Sequence, residues 1–278
     1  MAKTLQLSRS GYYAGRNRPA RRREEANRVL VRNIKVVHQD NRQVYGSPRI
    51  TAELRFQGFP CSRNRVARLM RENKIAARTK RKFKVTTASR HKFPIAPNLL
   101  NQSFLASGRN QIWASDITYI PTREGWLYLA MVLDLHSRSV VGWSMSDRLQ
   151  RDLVMNAFKQ AVKRRTPQAG LIFHSDRGVQ YACSDFRDQL KKHQAIQSMS
   201  GKGNCYDNAV SESFFKTLKT ELIYFSRFNT RAEAKSEIFE YIEVFYNRQR
   251  RHSTLGYLSP AEFERKHLKL WFLAVWCG

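Results

Sequence analysis

Acidic residues are scarce in this sequence of 278 residues: 22 aspartates and glutamates stand against 50 lysines and arginines, for a formal net charge of +28. A surface this positive repels itself unless a polyanion binds, and nucleic acid is the first candidate. General disorder is disfavoured because 42% of the residues are hydrophobic and 12% are aromatic. The length therefore allows one or two domains with real cores and with the excess charge on their surfaces.

The chain also lacks an apolar run long enough to span a bilayer, and it lacks a lipidation signal. Its start has no apolar core followed by a small-residue cleavage site, so no secretory signal is found. Cysteines are few and far apart, with no CxxC pair and no Cys/His cluster of zinc-ligand spacing. They are Cys61, Cys183, Cys205 and Cys277. These absences predict a cytoplasmic protein with reduced thiols, no zinc site and no membrane partner.

Residues 1–41 predict a basic arm followed by a helix. SRSGYY and RNRPARRR are basic and turn-prone, and apolar side chains then recur at helical spacing between residues 24 and 39. The apolar positions are Val29, Leu30, Ile34 and Val37. We expect the arm to be flexible without a partner and the helix to pack through this apolar stripe.

Residues 42–75 have the pattern of a helix-turn-helix. Ser47 is a good N-cap with Pro48 as the first helical residue, Gly58 can end that helix in the left-handed conformation, and Ser62 can cap a second helix. The apolar positions are Ile50, Leu54 and Phe56 in the first helix and Val66, Leu69 and Met70 in the second. Two short helices joined by a turn that contains glycine are typical of this DNA-binding motif.

The second of these helices is rich in polar side chains that can face DNA. They are Arg63, Asn64, Arg65, Arg68 and Arg71. Asn64 and Arg68 are candidates to read bases in a groove. An ordinary helical hairpin with a solvated basic face is the alternative, and the net charge favours DNA contact over it.

Residues 76–108 form a basic linker. No acidic residue occurs between Glu72 and Asp116, and basic residues crowd the first half of that interval. Its densest basic run contains Lys80, Arg81 and Lys82. A linker that follows DNA phosphates is favoured over a core strand or a bare spacer.

Residues 109–265 predict an α/β domain. Three strand-like runs, IWASDITYI, WLYLAMVLDLHS and SVVGWSMSD, follow one another as in an antiparallel meander. Next come a helix over residues 152–165, the short strand LIFHS, a helix near 183–193, a strand around 195–199, and a helix within GNCYDNAVSESFFKTLKTEL. This is the element order of a ribonuclease-H-like core, a mixed five-stranded sheet with flanking helices. A small all-α helix-turn-helix domain and the basic linker precede it.

Three carboxylates occupy notable positions in this domain. Asp116 interrupts the apolar run of the first strand, Asp176 ends the fourth strand, and Glu212 lies on a later helix, with 35 residues between Asp176 and Glu212. Taken singly, each acid has a simpler explanation, such as a turn or a surface charge pair. Together they suit Mg²⁺, which prefers hard oxygen ligands. Two such ions about 3.5–4 Å apart can activate an attacking oxygen and stabilise a leaving one.

The helix that carries Glu212 predicts a buried face and a charged face. Val210, Phe214, Leu218 and Leu222 form the apolar side. Lys216 and Lys219 share the other side with Glu212, and Asp207 is the expected N-cap. Two other polar residues are given structural roles: Asp134 could pair with a neighbouring arginine, and His174 is assigned to packing or to phosphate contact.

SDITYI, HSDRGVQY and GNCYDNAVSESFFKTLKTEL, followed by YNRQRRHSTLGYLSPAEF, resemble the catalytic core of bacterial insertion-sequence transposases related to retroviral integrases. The segments YGSPRITAEL and FPCSRNRVARLMRENKI are similar to the internal helix-turn-helix of that family, and SRSGYY to its usual start. The family usually splits its transposase over two overlapping reading frames. This chain resembles the product of the second frame over nearly its whole length.

The resemblance implies that Asp116, Asp176 and Glu212 are the catalytic, metal-binding triad of a transposase with two Mg²⁺ ions, which Mn²⁺ can replace. It also implies that Lys219 contacts transposon-end DNA, with Lys216 as a second candidate. Double-stranded DNA, both transposon ends and target, is then the partner, and a homo-oligomer on the bacterial nucleoid is expected. The family's active form carries an upstream helix-turn-helix and an oligomerising helix, and we expect specific end recognition to need them.

The leading hypothesis is a DNA transposase that hydrolyses a phosphodiester at a transposon end and transfers the freed 3′-hydroxyl. A regulator that binds DNA without cutting it is the alternative, and a nonspecific ribonuclease H is a third. The tail at 266–278, which ends in LKLWFLAVWCG, is unusually apolar. Docking on a partner subunit and a translated extension without a role both remain open for it.

Overall fold

The computed structural model describes residues 13, 22–78, 93–201 and 205–276, with side chains for all of these except 205, 206 and 269–276. The chain divides into two compact units, Met1–Arg78 and Thr79–Gly278. Most of the basic arm, the linker residues Lys80, Arg81 and Lys82, and the side chains of the apolar tail from residue 269 onward lie outside the described residues.

The described part of the first unit contains three helices: α1 (Arg22–Asp40), α2 (Ser47–Phe56) and α3 (Arg63–Glu72). Their shared core contains Leu30, Ile34, Val37, Ile50, Leu54, Val66, Leu69 and Met70. Two predicted apolar positions are wrong, because Val29 is 43% exposed and Phe56 is 66% exposed. Val29 lies one helical step off the stripe that faces the core, and Phe56 is the last residue of its helix.

The turn between α2 and α3 ends the first helix as predicted. Gly58 has φ = +84°, which a residue with a Cβ rarely adopts. Its N–H donates to the carbonyl of Arg55 at 3.1 Å, and the N–H of Phe59 donates to the carbonyl of Leu54 at 2.8 Å. This pair of hydrogen bonds is the Schellman arrangement, which satisfies the last carbonyls of the helix.

One of the two predicted helix starts is confirmed. The Ser62 hydroxyl accepts a hydrogen bond from the N–H of Arg65 at 3.2 Å and caps α3. The prediction for Ser47 is wrong: α2 begins at Ser47 itself, with Gly46 in extended backbone as its N-cap. Pro48 then lies in the first turn, where its missing N–H costs nothing.

The second unit is built on a five-stranded sheet in the order β3-β2-β1-β4-β5. The strands are β1 (Ile112–Thr122), β2 (Gly125–Asp134), β3 (Val140–Ser146), β4 (Ile172–Ser175) and β5 (Ile196–Met199). The first three form an antiparallel meander, whereas β4 is parallel to β1 and β5 is parallel to β4. The mixed sheet of a ribonuclease-H-like core is thereby confirmed.

Helices flank this sheet and close its hydrophobic core. They are α4 (Arg151–Arg165), α5 (Val179–Ala182), α6 (Ser184–Lys192), α7 (Ala209–Glu221), α8 (Arg231–Glu240) and α9 (Pro260–Trp276). A π-helix, Tyr241–Gln249, continues directly from α8. One core cluster contains Trp113, Phe158, Phe173, Tyr181 and Phe186, whose rings meet largely edge to face.

Close backbone contact joins α4 to the sheet. A Cβ on Gly142 of β3 would stand 2.2 Å from the carbonyl oxygen of Ala157 and 2.7 Å from the Cβ of Ala161. Only a residue without a side chain lets the helix approach this strand. Within the described residues, no helix combines the length and apolar character that crossing a bilayer requires. Cys61 and Cys183 are free thiols.

Candidate active site and DNA-binding helix

Strand register brings two of the three predicted carboxylates side by side. Ser115 of β1 pairs with Ser175 of β4. The next residues along the two parallel strands, Asp116 and Asp176, therefore lie at the same level. The fourth strand ends at Ser175, which places Asp176 at the start of the following loop. The carboxyl end of a strand in an open α/β sheet is a common place for a binding site.

The early end of β4 also leaves one edge of β1 open. The two strands pair only from Ile112 to Ser115 of β1, while β1 continues to Thr122 in its antiparallel pairing with β2. The part of the β1–β2 hairpin beyond Asp116 therefore projects past the end of β4. The third carboxylate, Glu212, lies on helix α7, and this helix contacts β1.

Glu212 lies in the first turn of α7 and is exposed. The helix is held from its opposite face by Phe214, Phe215 and Leu218, which are at most 5% exposed. Leu222, just beyond the helix, is buried as well, whereas Val210 is half-buried. The predicted division of α7 into an apolar and a charged face is thus confirmed.

The carboxylates influence one another electrostatically. Burial raises the pKa of Asp116 well above its usual range, and the charges of Asp176 and, to a smaller extent, Glu212 raise it further. A hydrogen bond of 2.8 Å from the N–H of Ile117 and the ammonium of Lys219 act in the opposite direction. Partial loss of solvent raises the pKa of Glu212. Four charged side chains therefore form one electrostatic cluster.

The donor set of this cluster fits a divalent cation. Three carboxylates offer the hard oxygen ligands that Mg²⁺ prefers, and their mutual repulsion is what a cation would relieve. Among the described residues, no three His, Cys, Asp or Glu side chains are close enough together to enclose a metal ion as they stand. Asp116 and Asp176 are neighbours, and the charge of Glu212, which is exposed on α7, acts on Asp116.

A buried hydroxyl pair lies beneath the two aspartates and was missed by sequence reasoning. The Ser115 hydroxyl donates to the carbonyl of Met131 at 2.7 Å and shares a 2.9 Å hydrogen bond with the Tyr181 hydroxyl. Burial raises the pKa of Tyr181 well above its usual range, and the charges of Asp116 and Asp176 add to this effect. Its place in HSDRGVQY, five residues after Asp176, was the available signal.

Lys219 lies on the same side of α7 as Glu212, as its spacing predicts. Its ammonium is 5.2 Å from the centre of the Tyr119 ring. Burial lowers the pKa of Lys219, while Tyr119 and Asp116 raise it. Lys216, about one helical turn before Lys219, is exposed.

Asp207 does not cap α7, so that prediction is wrong. A 3₁₀ turn, Cys205–Asn208, precedes the helix, and Asn208 is its N-cap residue. Asp207 is 1% exposed, and its Oδ2 accepts hydrogen bonds from the side-chain amide of Asn98 at 2.9 Å and the N–H of Gly201 at 2.7 Å. Asp207 therefore joins the segments around Asn98 and Gly201 to the turn that leads into α7.

The other two polar residues have structural roles. His174 is fully buried, its ring nitrogens lie 2.8 Å from the Ser198 hydroxyl and 3.3 Å from the Ser200 hydroxyl, and burial lowers its pKa. Of the two roles expected for His174, the structure supports packing. Asp134 is also fully buried and accepts the N–H of Asn110 at 2.6 Å. Its charge raises the pKa of Arg138, against the larger lowering that burial causes.

The YNRQRRHSTLGY motif forms a clamp on the end of α7. Arg250, only 5% exposed, donates from Nε and Nη2 to the two oxygens of Glu221 at 2.8 and 2.7 Å. Glu221 is 8% exposed and also accepts the Tyr241 hydroxyl at 2.8 Å. The last turn of the helix that carries Glu212 is thereby fixed to a distant segment of the chain, a contact that sequence reasoning did not find.

Helix α3 of the first unit presents part of the predicted DNA-binding set. Arg63, Asn64 and Arg71 are exposed on α3. Arg65 donates from Nε to the Asn27 side chain at 3.0 Å and so helps to hold α1 against α3. Arg68 pairs with Glu72 at 2.8 Å on the surface, an ion pair that DNA phosphates can replace.

Comparison with known proteins gives consistent matches along the chain. The integrase core domain family matches residues 106–205 and 212–268, and the HTH-like domain family matches residues 24–83. The chain is 46% identical over 267 residues to the insertion element IS600 uncharacterized 31 kDa protein of Shigella sonnei, covering 96% of this chain and 98% of that protein. It is 45% identical over 270 residues to transposase InsF for insertion sequence IS3A of Escherichia coli, covering 96% and 94%. Among solved structures, the HTLV-2 integrase catalytic core with magnesium gives a TM-score of 0.43 at 15% identity, covering 56% of this chain and 96% of that one.

Proposed function

This chain belongs to the family of insertion-sequence transposases with an integrase core domain, and from that premise we propose that it cuts and joins DNA at transposon ends. The reaction begins with hydrolysis of a phosphodiester at the end of the element. The freed 3′-hydroxyl then attacks a phosphodiester of target DNA, which replaces one ester bond by another. The observation that carries the proposal is the pair Asp116 and Asp176 at the same level of adjacent strands, with the charge of Glu212 on α7 acting on Asp116.

In this proposal, Asp116, Asp176 and Glu212 hold two Mg²⁺ ions, or Mn²⁺ in their place. Bound there, the metal supplies activation of the attacking oxygen and stabilisation of the leaving one. The chain's own residues arrange the reactants. Lys219 holds a phosphate of the cut strand beside Asp116, and the Ser115–Tyr181 hydroxyl pair supports the strand from which Asp116 projects.

The remaining parts of the chain bind and align DNA. Arg63, Asn64, Arg65, Arg68 and Arg71 approach the grooves and phosphates from residues 42–75, Lys80, Arg81 and Lys82 follow the backbone along residues 76–108, and Lys216 assists Lys219. Residues 109–265 carry the chemistry. Two transposon ends must meet for strand transfer, so a homo-oligomer assembles on the DNA of a bacterial nucleoid.

The test is cleavage and strand transfer with a labelled duplex of the terminal base pairs of the element that carries this gene. With Mg²⁺ or Mn²⁺, nicked and joined products are expected, and each of Asp116→Asn, Asp176→Asn and Glu212→Gln should reduce them by more than about 100-fold, since even a ligand's supporting contacts are worth 10- to 100-fold. Asp152→Asn, which changes an aspartate whose side chain is 74% exposed, is the matched control. Full activity of the triad variants would refute the proposal.

A regulator that binds DNA without cutting is the second candidate. The match of residues 24–83 to an HTH-like domain favours it, because DNA binding by that region needs no triad. Intact binding with no cleavage under either metal, until a longer fusion with the first-frame product is supplied, would support the regulator. An RNA/DNA hybrid tested in parallel detects the ribonuclease H activity that the fold also permits.

A further inference from the structure

An exposed tryptophan and a half-buried tyrosine lie together on the β1–β2 hairpin, on the part that projects past the end of β4. Trp126 of β2 is 49% exposed, and its ring meets the ring of Tyr119 edge to face with centres 4.9 Å apart. The Lys219 ammonium lies 5.2 Å from the centre of the Tyr119 ring. We call Tyr119, Trp126 and Lys219 the aromatic platform.

A single exposed tryptophan needs no special explanation, because much of any protein surface is apolar. The aromatic platform differs in having a second ring and a partly buried cation, whose charge is also felt by Asp116. Aromatic rings combined with a cation on a basic surface are the usual means of binding unpaired nucleic acid, because every base has a face that can stack.

The hairpin that bears the platform is held in place. Arg231 of α8 donates from Nε to the carbonyl of Trp126 at 3.1 Å and from its N–H to the Glu124 carboxylate at 2.8 Å. The N–H of Arg123 donates to the carbonyl of Phe228 at 3.1 Å. These bonds fix the backbone on which Trp126 stands, so binding a base would not have to order it first.

Distance along the strand relates the platform to the active site. Tyr119 is three residues beyond Asp116 on β1, about 10 Å at the rise of a strand. The two side chains leave opposite faces of the strand, but the Lys219 ammonium lies 5.2 Å from the Tyr119 ring and also interacts electrostatically with Asp116. Stacked nucleotides of one strand are about 3.4 Å apart. A base on the platform would therefore lie within about three nucleotides of a phosphodiester at Asp116.

We propose that Trp126 and Tyr119 form a stacking subsite for an unpaired base of the transposon-end strand, with Lys219 on the neighbouring phosphate. The inference rests on the proposed function and names the form of DNA that this site takes. The faces of a paired base are covered by its neighbours, so a terminal base pair must open before the base can stack. Stacking on the platform offsets the cost of that opening and leaves the adjacent phosphodiester accessible.

Photocrosslinking tests the contact without requiring catalysis. The full chain is mixed in EDTA with the terminal duplex, in which iodouracil replaces one thymine at a time, and is irradiated. Crosslinks to Trp126 or Tyr119 are expected from a substitution within about three nucleotides of the cut, given the strand and nucleotide spacings. Crosslinks from those substitutions that fall only on other peptides, or that fail to form, overturn the inference.

Kinetics tests the role. Trp126→Ala should slow cleavage of a fully paired end by about 5- to 150-fold, the range that loss of one base–aromatic stack gives. Trp126→Phe should retain most of the rate. A duplex with mismatched terminal base pairs should recover much of the loss, since its bases are already unpaired.

Phe239→Ala is the matched control, because Phe239 is also 49% exposed and its ring contacts Trp143 of β3. It should cleave at the wild-type rate. Equal rates for Trp126→Ala and wild type on the paired end refute the subsite and leave the proposed function intact. Absence of cleavage by the wild-type chain, both alone and as the longer fusion with the first-frame product, refutes the proposed function, while the crosslinking experiment still decides whether the platform binds a base.

Discussion

At the residue scale, Asp116 is held in the folded chain at an electrostatic cost. A carboxylate in this position loses water and faces the charges of Asp176 and Glu212, and both effects favour its protonated form. The pKa of Asp116 is consequently higher in the folded chain than in the unfolded chain. By linkage, its contribution to folding stability is best at low pH and is lost as pH rises above about 3.8 and through the folded pKa.

Asp116→Asn should therefore stabilise the metal-free protein at neutral pH while abolishing cleavage. We expect an increase of a few degrees in the thermal midpoint, at about 2–4 °C for each kcal/mol in a domain of this size. The difference between variant and wild type should shrink as pH approaches 4. Calorimetry in EDTA at several pH values measures it, with Asp152→Asn as the control. A midpoint that falls at neutral pH would contradict the expectation.

At the element scale, α7 is fixed in two ways, along its apolar face and at its last turn. Its apolar face packs through Phe214 and Leu218, and its last turn is bound by the buried pair of Glu221 and Arg250. Burial lowers the pKa of Arg250, and the carboxylate of Glu221 raises it above the ordinary value. Charges this well buried are tolerated only as a pair.

Removing one partner of this pair should be costly. Arg250→Met leaves the buried Glu221 carboxylate without its guanidinium partner, and a loss of about 3–5 kcal/mol in the free energy of unfolding is expected. Arg151→Ala, which breaks an exposed pair with Asp185, should cost no more than about 1 kcal/mol. Urea unfolding of the full chain followed by tryptophan fluorescence compares the two. Similar losses for both variants would contradict the clamp.

A second element-scale prediction concerns the packing of α4 on β3. Gly142→Ala places a methyl group 2.2 Å from the carbonyl oxygen of Ala157, and that backbone atom cannot rotate away. A destabilisation of about 1–3 kcal/mol or more is expected from overpacking. Gly108→Ala is the control, because its Cβ would meet only the end of the flexible Gln111 side chain at 3.1 Å. Equal urea midpoints for the two variants would show that β3 can move.

The elements whose signals are local could be predicted from the sequence. Gly58 and Ser62 mark their helix boundaries because turn and cap chemistry depends on neighbouring backbone groups. Asp116 and Asp176 could be paired in advance because the order of strands limits which ends can meet. The expected cap by Asp207 is wrong because a long-range amide, that of Asn98, competes for its carboxylate.

What could not be predicted depends on tertiary partners. The hydroxyl of Tyr181 and the guanidinium of Arg250 meet groups that are 66 and 29 residues away in the chain. No periodicity in the sequence indicates such pairs. Phe56 has an apolar side chain and a helical position, yet it is exposed because nothing packs over the last residue of α2 within the described part of the chain.

At the scale of the whole molecule, a net charge of +28 makes DNA affinity depend on salt. Each phosphate neutralised by a lysine or arginine contributes about −0.9 to the slope of log K against log salt. Arg63→Gln and Arg71→Gln on exposed positions of α3 should each make that slope shallower by about 0.9, if each residue binds one phosphate. Lys192→Gln, on an exposed position of α6, should leave it unchanged. Titrations by fluorescence anisotropy at several salt concentrations give the slopes, and unchanged slopes for the α3 variants would remove that helix from the DNA interface.

The buried pair of Glu221 and Arg250 also constrains how such a protein can evolve. Loss of either charge alone leaves the other charge buried without its ion-pair partner, which destabilises the fold. Replacing both residues by well-packed apolar residues can leave the folding stability unchanged. A lineage that drifts at one position must therefore change the other at nearly the same time. Among descendants of this transposase, the two positions should be inherited as a unit, and sequences that separate them should be rare.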